Sequence, residues 1–310
     1  MKYDNITVIL TESKQQLHID LKNAGFSSII IRPKNEPLRL YFEHALTTDS
    51  SLFVNIDEAD GFCIDDIKNV CAALAQDEKK VYVGARVHEK KINLPQKIYG
   101  FLSGISAADI TSSLIGLSRA TLILMTQMKS SNKNFRQNIL LEARQNSIEI
   151  KEIPTNLLQT QTLSWGILTS SVKLYLIFIK FSISATIAYI VDIGSFYLLS
   201  KLLFGLTDEF KILTATVLSR ILCSIATYFL NKGAVFKSQA RSTGTVVRFV
   251  ILSAGQLIAS WLLVWGLGSL LGGSDAVNTL LKVVVDFVIF MASFTLQRDW
   301  VFKKTNKLLK

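Results

Sequence analysis

The chain has 310 residues, a formal net charge of +10 and a pI near 9.4. Its three cysteines (Cys63, Cys71 and Cys223) and three histidines sit at none of the spacings of a metal site or a disulfide framework, so the thiols read as reduced. The basic balance meets no nucleic-acid-binding signature. In the C-terminal half, Lys and Arg gather at the ends of apolar runs, which points to anionic lipid headgroups and not to nucleic acid.

The N-terminus, Met1-Lys2-Tyr3-Asp4-Asn5, opens a strand-like run and not a charged-then-apolar signal peptide, so the first domain is expected in the cytoplasm. Ile6–Leu10, Ser28–Ile31, Leu52–Ile56, Val81–Val87 and Ile148–Ile153 read as strands. Helical patterns fall near 14–24, 37–47, 65–75 and 135–146. This alternation predicts an α/β domain over residues 1–165 with a mostly parallel sheet.

Within that domain, Leu52-Phe53-Val54-Asn55-Ile56-Asp57-Glu58-Ala59-Asp60-Gly61 is a strand running into carboxylates, with Asp65-Asp66-Ile67 after it. Val83-Gly84-Ala85-Arg86 follows, then Ile105 through Asp109 to Gly116-Leu117-Ser118-Arg119, then Ile150-Lys151-Glu152-Ile153-Pro154. The order resembles a glycosyltransferase family 2 domain of the dolichyl-phosphate-mannose-synthase type. The resemblance implies a GT-A-like fold, with Asp57, Asp60 and Asp109 as the catalytic candidates if the domain is active. It also implies a divalent cation on the donor diphosphate, held by carboxylates. The chain departs from that pattern. The usual Asp-x-Asp is here Asp57-Glu58-Ala59-Asp60, one residue wider, and strand residues alternate faces, so both carboxylates reach one ion only across a bulge. The segment after strand one is Leu10-Thr11-Glu12-Ser13-Lys14 and lacks the Pro/Asn/Glu turn of the family. Strand two ends in Ile31-Arg32-Pro33-Lys34 instead of acidic residues, and the loop at 88–98 is short. The expectation is a degenerate domain with no metal and no cofactor, in which Asp57 and Asp60 serve as a polar strand end and a helix cap.

Residues 166–174 form a linker or interfacial helix, and an all-α transmembrane domain occupies 175–310. Four runs, at about 175–202, 212–231, 247–271 and 277–297, each approach or exceed the roughly 20 residues a bilayer requires. The loop after the second run carries Lys232, Lys237, Arg241 and Arg248. The C-terminal tail carries Arg298, Lys303, Lys304, Lys307 and Lys310. The opposite loops hold Asp208, Glu209, Lys211 and then Asp275. The positive-inside bias therefore places both termini in the cytoplasm. Trp261, Trp265 and Trp300 are candidate interface anchors, and the first two equally suit contacts between helices.

The four runs contain an internal two-helix repeat. Leu230-Asn231-Lys232-Gly233-Ala234-Val235-Phe236-Lys237 superposes on Leu296-Gln297-Arg298-Asp299-Trp300-Val301-Phe302-Lys303 at a shift of about 66, and Lys180-Phe181 matches Arg248-Phe249. Two helices per unit keep both units in one orientation, so the repeat is parallel. Asp192, Arg220, Gln256, Lys282 and Asp286 are polar residues inside the apolar runs. A charge in hydrocarbon is paired, faces an interior or marks a pathway. The repeat carries Arg220 onto Asp286, which predicts an ion pair between the two units. Lys282 and Asp286 share a helix face, and Lys282 can snorkel outward.

These residues resemble the GtrA family: Lys180-Phe181 leading to mid-helix Asp192, then Arg220, Asn231-Lys232 and Phe236, then Lys282, Asp286, Phe294, Gln297-Arg298 and Trp300-Val301-Phe302. The resemblance implies a small four-helix membrane protein of cell-surface polysaccharide or teichoic acid glycosylation. Such a protein would move a polyprenyl-phosphate-linked sugar across the cytoplasmic membrane. Asp192, Arg220, Asn231, Lys232, Lys282, Asp286, Gln297 and Arg298 are the transport and lipid-phosphate candidates, Lys232 and Arg298 suiting a phosphate at the interface. The alternative is a membrane-tethered transferase that makes the lipid-linked sugar. A third reading is a scaffold for a separate glycosyltransferase. The expected partners are the lipid-linked sugar, anionic headgroups, that separate transferase and a second copy of the chain.

Overall fold

The computed structural model describes residues 3–11, 15–57, 61–88, 94–105, 109–127, 135–159, 165, 172–203, 207–238, 242–270 and 275–303. The chain divides into two compact units at the boundary between Leu174 and Tyr175. The first is α/β; the second is built of four long apolar helices.

The α/β unit holds strands β1 (Ile6–Thr11), β2 (Ser28–Arg32), β3 (Leu52–Ile56), β4 (Val81–His88), β5 (Ile115–Ser118) and β6 (Ile150–Gln159). Helices α1 (Gln15–Asn23), α2 (Leu38–Ala45), α3 (Ile64–Gln76), α4 (Leu94–Ser103), α5 (Arg119–Thr126) and α6 (Phe135–Gln145) connect and cover them. The sheet order is β2-β1-β3-β5-β4-β6. Five strands run in one direction, as the alternating pattern predicts. β5 runs antiparallel to both its neighbours. This strand is absent from the sequence reading because it has four residues, Ile-Gly-Leu-Ser. It is held by partners on both sides and not by its own propensity. Helices α4 and α5 were likewise not expected, and α4 occupies part of the segment read as a short loop.

The core under β1, β3 and β5 packs against α3 through Ile67, Val70, Cys71 and Leu74, each 0% exposed. Burial pushes the Cys71 thiol up to about 12, which keeps it an inert apolar side chain. The start of α3 is capped by Cys63 and Asp66, whose carboxylate accepts from the Cys63 backbone N–H at 3.1 Å. Cys63 and Asp66 thus form the cap of α3, and Asp57 stands directly after β3. Two glycines permit close approach. A Cβ on Gly84 of β4 would lie 2.5 Å from Leu114 Cδ2, and one on Gly116 of β5 would lie 2.9 Å from Val70 Cγ1.

The second unit comprises α7 (Val172–Leu202), α8 (Asp208–Leu230), α9 (Ser242–Leu270) and α10 (Asp275–Leu296). Of the linker expected over 166–174, residues 166–171 lie outside the described residues, and Val172 already begins α7. The stretches Tyr175–Leu202, Phe210–Val235, Thr243–Leu270 and Thr279–Val301 are long and apolar enough to cross a membrane. Their outward surface is apolar: Ile190, Phe229, Leu257 and Leu280 are each more than 60% exposed, as lipid contact requires. Trp261 and Trp265 point outward too, stacked at 6.2 Å.

α8 and α10 each end in a π-helical turn, Asn231–Val235 and Gln297–Val301. Each turn is closed by the same bond, Phe236 N–H to Asn231 O and Phe302 N–H to Gln297 O, both 2.8 Å. The repeat read in the sequence is therefore a repeat of backbone geometry, down to the π-turn. Its symmetry axis is visible where equivalent residues meet. Asn231 Nδ2 donates to Gln297 Oε1 at 2.7 Å across 66 residues, and the rings of Phe236 and Phe302 stack at 5.5 Å. Around the axis, Phe181 packs on Phe294 at 5.4 Å while its counterpart Phe249 packs on Tyr228 at 5.6 Å. All six of these rings are buried.

Gly84→Ala should destabilise the chain by about 1–3 kcal/mol, the usual cost of overpacking a filled core. Chemical denaturation followed by fluorescence checks this, and the double variant Gly84→Ala with Leu114→Ala should recover part of the loss.

Candidate functional site

Three groups of polar residues stand apart from the rest of the fold. The first is at the carboxyl edge of the sheet. β2 lies on one side of β1 and β3 on the other, so the crevice between the carboxyl ends of β1 and β3 is the switch point at which α/β sheets bind ligands. Asp57 stands there, half-buried directly after β3, with its backbone N–H on Ser113 Oγ at 2.9 Å. Asn55 explains its polar place in a buried strand by donating to Ser113 O at 3.0 Å. Asp60 lies outside the described residues. At the end of β2, Arg32 turns inward, is 7% exposed, and donates to Thr11 Oγ1 at 2.8 Å and Glu36 O at 2.6 Å. A guanidinium bound to its own chain thus fills the place where the transferase resemblance asks for acidic residues.

Asp109 is 0% exposed. Arg86 clamps it in a two-point pair, Nε to Oδ2 at 2.7 Å and Nη2 to Oδ1 at 2.9 Å. Arg86 N–H and Thr111 Oγ1 also donate to it, and its own N–H donates to Glu152 Oε1 at 2.9 Å. The Gly-x-Arg of β4 and the Asp read as acceptor-side therefore form one buried ion pair. Arg119 donates to three carbonyls, of Leu46, Thr48 and Ser50; it ties the segment before β3 to the start of α5. Among the described residues no three His, Cys, Asp or Glu side chains converge as a metal site would require. Arg86 thus engages the Asp109 carboxylate within the fold.

The second group lies in the apolar spans. Counting from the span ends at Leu202 and Phe210, Asp192 and Arg220 are each about ten residues in. At 1.5 Å per residue this is roughly 15 Å, the centre of a bilayer core. Arg220 Nη1 lies 3.2 Å from Asp192 Oδ2. Asp286 pairs with Lys282 one turn away, at 2.7 Å, and Ser260 of α9 bridges them: Lys282 Nζ donates to Ser260 Oγ at 2.7 Å and Ser260 Oγ donates to Asp286 Oδ1 at 2.9 Å. The expected Arg220–Asp286 pair is thus corrected. Each charge finds its partner inside its own repeat because α7 with α8, and α9 with α10, bring the nearer groups together. The repeat logic persists in altered form. Asp192 on α7 and Ser260 on α9 are counterparts, as are Arg220 and Asp286, so the same inter-helix contact is made twice with different chemistry. Asp192 is 9% exposed and its Oδ1 is buried without a hydrogen-bond partner. The Arg220 side chain is 72% exposed.

The third group is the π-turn end. Lys232 Nζ lies 5.6 Å from the Tyr228 ring centre and donates to its hydroxyl at 3.3 Å. Arg298, its counterpart, lies 5.1 Å from the Phe294 ring centre. Lys180, Lys237, Arg248 and Lys303 surround this end and are exposed. The network that holds these turns, including Ser293 Oγ accepting from Gln297 Nε2 at 2.9 Å and the Tyr228 hydroxyl paired with Thr245 Oγ1 at 2.6 Å, was not read from the sequence. Ser260, Ser293 and Thr245 are small polar residues in apolar helices, and helical spacing alone does not say which neighbour they meet.

Residues 180–302 match the family model of the GtrA/DPMS transmembrane domain. That match covers every polar residue of the second group and all of the third except Lys303. The protein is therefore a multi-pass membrane protein whose C-terminal unit is similar to the GtrA/DPMS transmembrane domain. The match does not reach the α/β unit, and no curated protein matches the chain.

Two predictions follow from these pairings. Arg86→Ala or Asp109→Ala should cost roughly 3–5 kcal/mol of unfolding free energy, because each leaves an uncompensated buried charge. A loss below about 1 kcal/mol in denaturant titration would contradict the pairing. In the membrane unit, a double-mutant cycle on Asp192 and Arg220 in detergent should show coupling on the order of 1 kcal/mol, the range of polar contacts between membrane helices. The cycle on Arg220 and Asp286 should show none.

Proposed function

We propose that this protein serves cell-surface polysaccharide or teichoic acid glycosylation by translocating, or helping to translocate, a polyprenyl-phosphate-linked sugar across the cytoplasmic membrane. The observation that carries the reading is the placement of polar groups on a unit similar to the GtrA/DPMS transmembrane domain. Basic side chains ring the π-turn end, where a lipid phosphate would sit. Charged pairs lie at mid-depth, where a sugar would need hydrogen-bonding groups in an otherwise apolar span. The positive-inside bias makes the π-turn end cytoplasmic and puts both termini on that side.

The α/β unit, in this reading, is a degenerate transferase-like domain that docks and does not catalyse. Two observations support this: Arg32, bound to its own chain, stands where the transferase resemblance asks for acidic residues, and Asp109, a catalytic candidate, is engaged by Arg86 within the fold. One observation favours the second reading, a membrane-tethered transferase that makes the lipid-linked sugar: Asp57 stands at the switch point of the sheet. A separate transferase recruited by this unit is compatible with the first reading.

A deletion strain should lose a glycosyl modification of its surface polymer, and the chain bearing Asp57→Ala should restore it as the wild type does. Restoration by wild type alone, together with metal-dependent nucleotide-sugar binding by the purified chain, would favour the enzyme. Reporter fusions after residues 165 and 310 should read as cytoplasmic and one near 207 as external.

A further inference from the structure

Among the described residues of the membrane unit, the buried side-chain atoms that lack a hydrogen-bond partner all belong to the first repeat: Ser184 Oγ, Asp192 Oδ1, Ser200 Oγ and Asn231 Oδ1. A serine in an apolar helix ordinarily donates to the carbonyl one turn back. Ser182, Ser195 and Ser253 do so, to Phe178, Val191 and Phe249. Ser184 does not, although it is 3% exposed. Ser184, Ala188 and Asp192 share one buried face of α7, and that face meets α8. Cys223 Sγ donates to Ala188 O at 3.3 Å, and Arg220 pairs with Asp192 Oδ2. The two helix pairs also differ in closeness. α9 and α10 touch along much of their length, whereas the backbones of α7 and α8 approach at few points among the described residues. The counterparts of Ser184 and Asp192 in the second repeat are Leu252, which is apolar and buried, and Ser260, whose hydroxyl is bonded to both Lys282 and Asp286. One seam is close-packed and satisfied; the other is open and holds two oxygens that call for donors.

We infer that a hydroxyl-bearing headgroup crosses the membrane through the α7–α8 seam, with Ser184 Oγ and Asp192 Oδ1 as its two stations, and that the α9–α10 seam stays closed. The stations are eight residues apart, about 12 Å along the helix, so a headgroup leaving the π-turn end meets Ser184 first and reaches Asp192 at mid-depth. An unpaired oxygen in hydrocarbon is costly, and a sugar removes that cost at each station in turn. Its hydroxyls both donate and accept, so one can donate to Asp192 Oδ1 while a neighbour accepts from Arg220. The Arg220 side chain, 72% exposed, stands at the lipid-facing lip of the seam. A seam open to the side lets the lipid chain stay in the bilayer while the head moves within the protein. This deepens, and rests on, the lipid-linked-sugar reading given above.

The test places serine variants of the full chain in the deletion strain and follows the initial rate at which the surface-polymer modification returns after induction. Ser184→Ala should slow that rate by about fivefold, the scale of one hydrogen bond. Its melting temperature in detergent should be unchanged or higher, because removing an unpartnered buried hydroxyl is neutral or stabilising. Ser182→Ala and Ser253→Ala should stay within about twofold of the wild-type rate, since their hydroxyls are already bonded within the helix. A second measurement reads the seam itself. In native membranes, N-ethylmaleimide should modify Cys223, as it modifies exposed Cys63, and should spare buried Cys71; a thiol that faces only lipid, away from water, would stay unmodified. A wild-type rate in Ser184→Ala, an equal loss in Ser182→Ala or Ser253→Ala, or an unmodified Cys223 would overturn the inference and leave the lipid-linked-sugar reading standing. A deletion strain that keeps its surface glycosylation would overturn that reading and this inference with it.

Discussion

The membrane unit depends on the contact between its two repeats at the π-turn end. There, equivalent residues meet each other: amide on amide at Asn231 and Gln297, ring on ring at Phe236 and Phe302. In hydrocarbon no hydrophobic force drives helices together, so packing and buried hydrogen bonds must do it. Six buried aromatic rings provide the first. The amide pair provides the second and fixes register, since a buried amide with the wrong neighbour loses its partner. The π-turns are what aim both amides at the axis: a one-residue widening at the end of α8 and α10 rotates the side chains that follow. Aromatic cluster, amide pair and basic rim are consequences of one local backbone feature used twice.

The charges deeper in the spans follow a different rule. They are settled within each repeat, Asp192 with Arg220 and Asp286 with Lys282 and Ser260. Solvation in the bilayer core is so poor that an ionised side chain takes the nearest opposite charge. A partner one turn away, or on the adjacent helix, wins over one across the axis. The two repeats share the position of this contact and not its chemistry.

In the α/β unit, Asp109, which the transferase resemblance would spend on catalysis, is engaged within the fold. Arg86 and Asp109 join β4 to the segment before β5, and Arg32 joins β2 to β1. A buried guanidinium–carboxylate pair offsets its own desolvation only when further hydrogen bonds satisfy the remaining atoms. Thr111 and the Arg86 backbone supply them for Asp109. The unit is thus internally satisfied at these positions.

The sequence alone determined the two units, the direction of five strands, the four spans, the parallel repeat and the basic end. Each of these is written in local periodicity or in the count of apolar residues, which need no knowledge of neighbours. β5 was beyond its reach, since four residues carry no period and the strand exists through pairing on both sides. The partner of Arg220 was decided only by the tertiary structure. Repeat equivalence pointed to Asp286, but equivalence fixes position along an axis and not distance across it. The roles of Ser260, Ser293 and Thr245 were decided in the same way, because a hydroxyl in an apolar helix becomes informative only when packing shows which polar atom it meets.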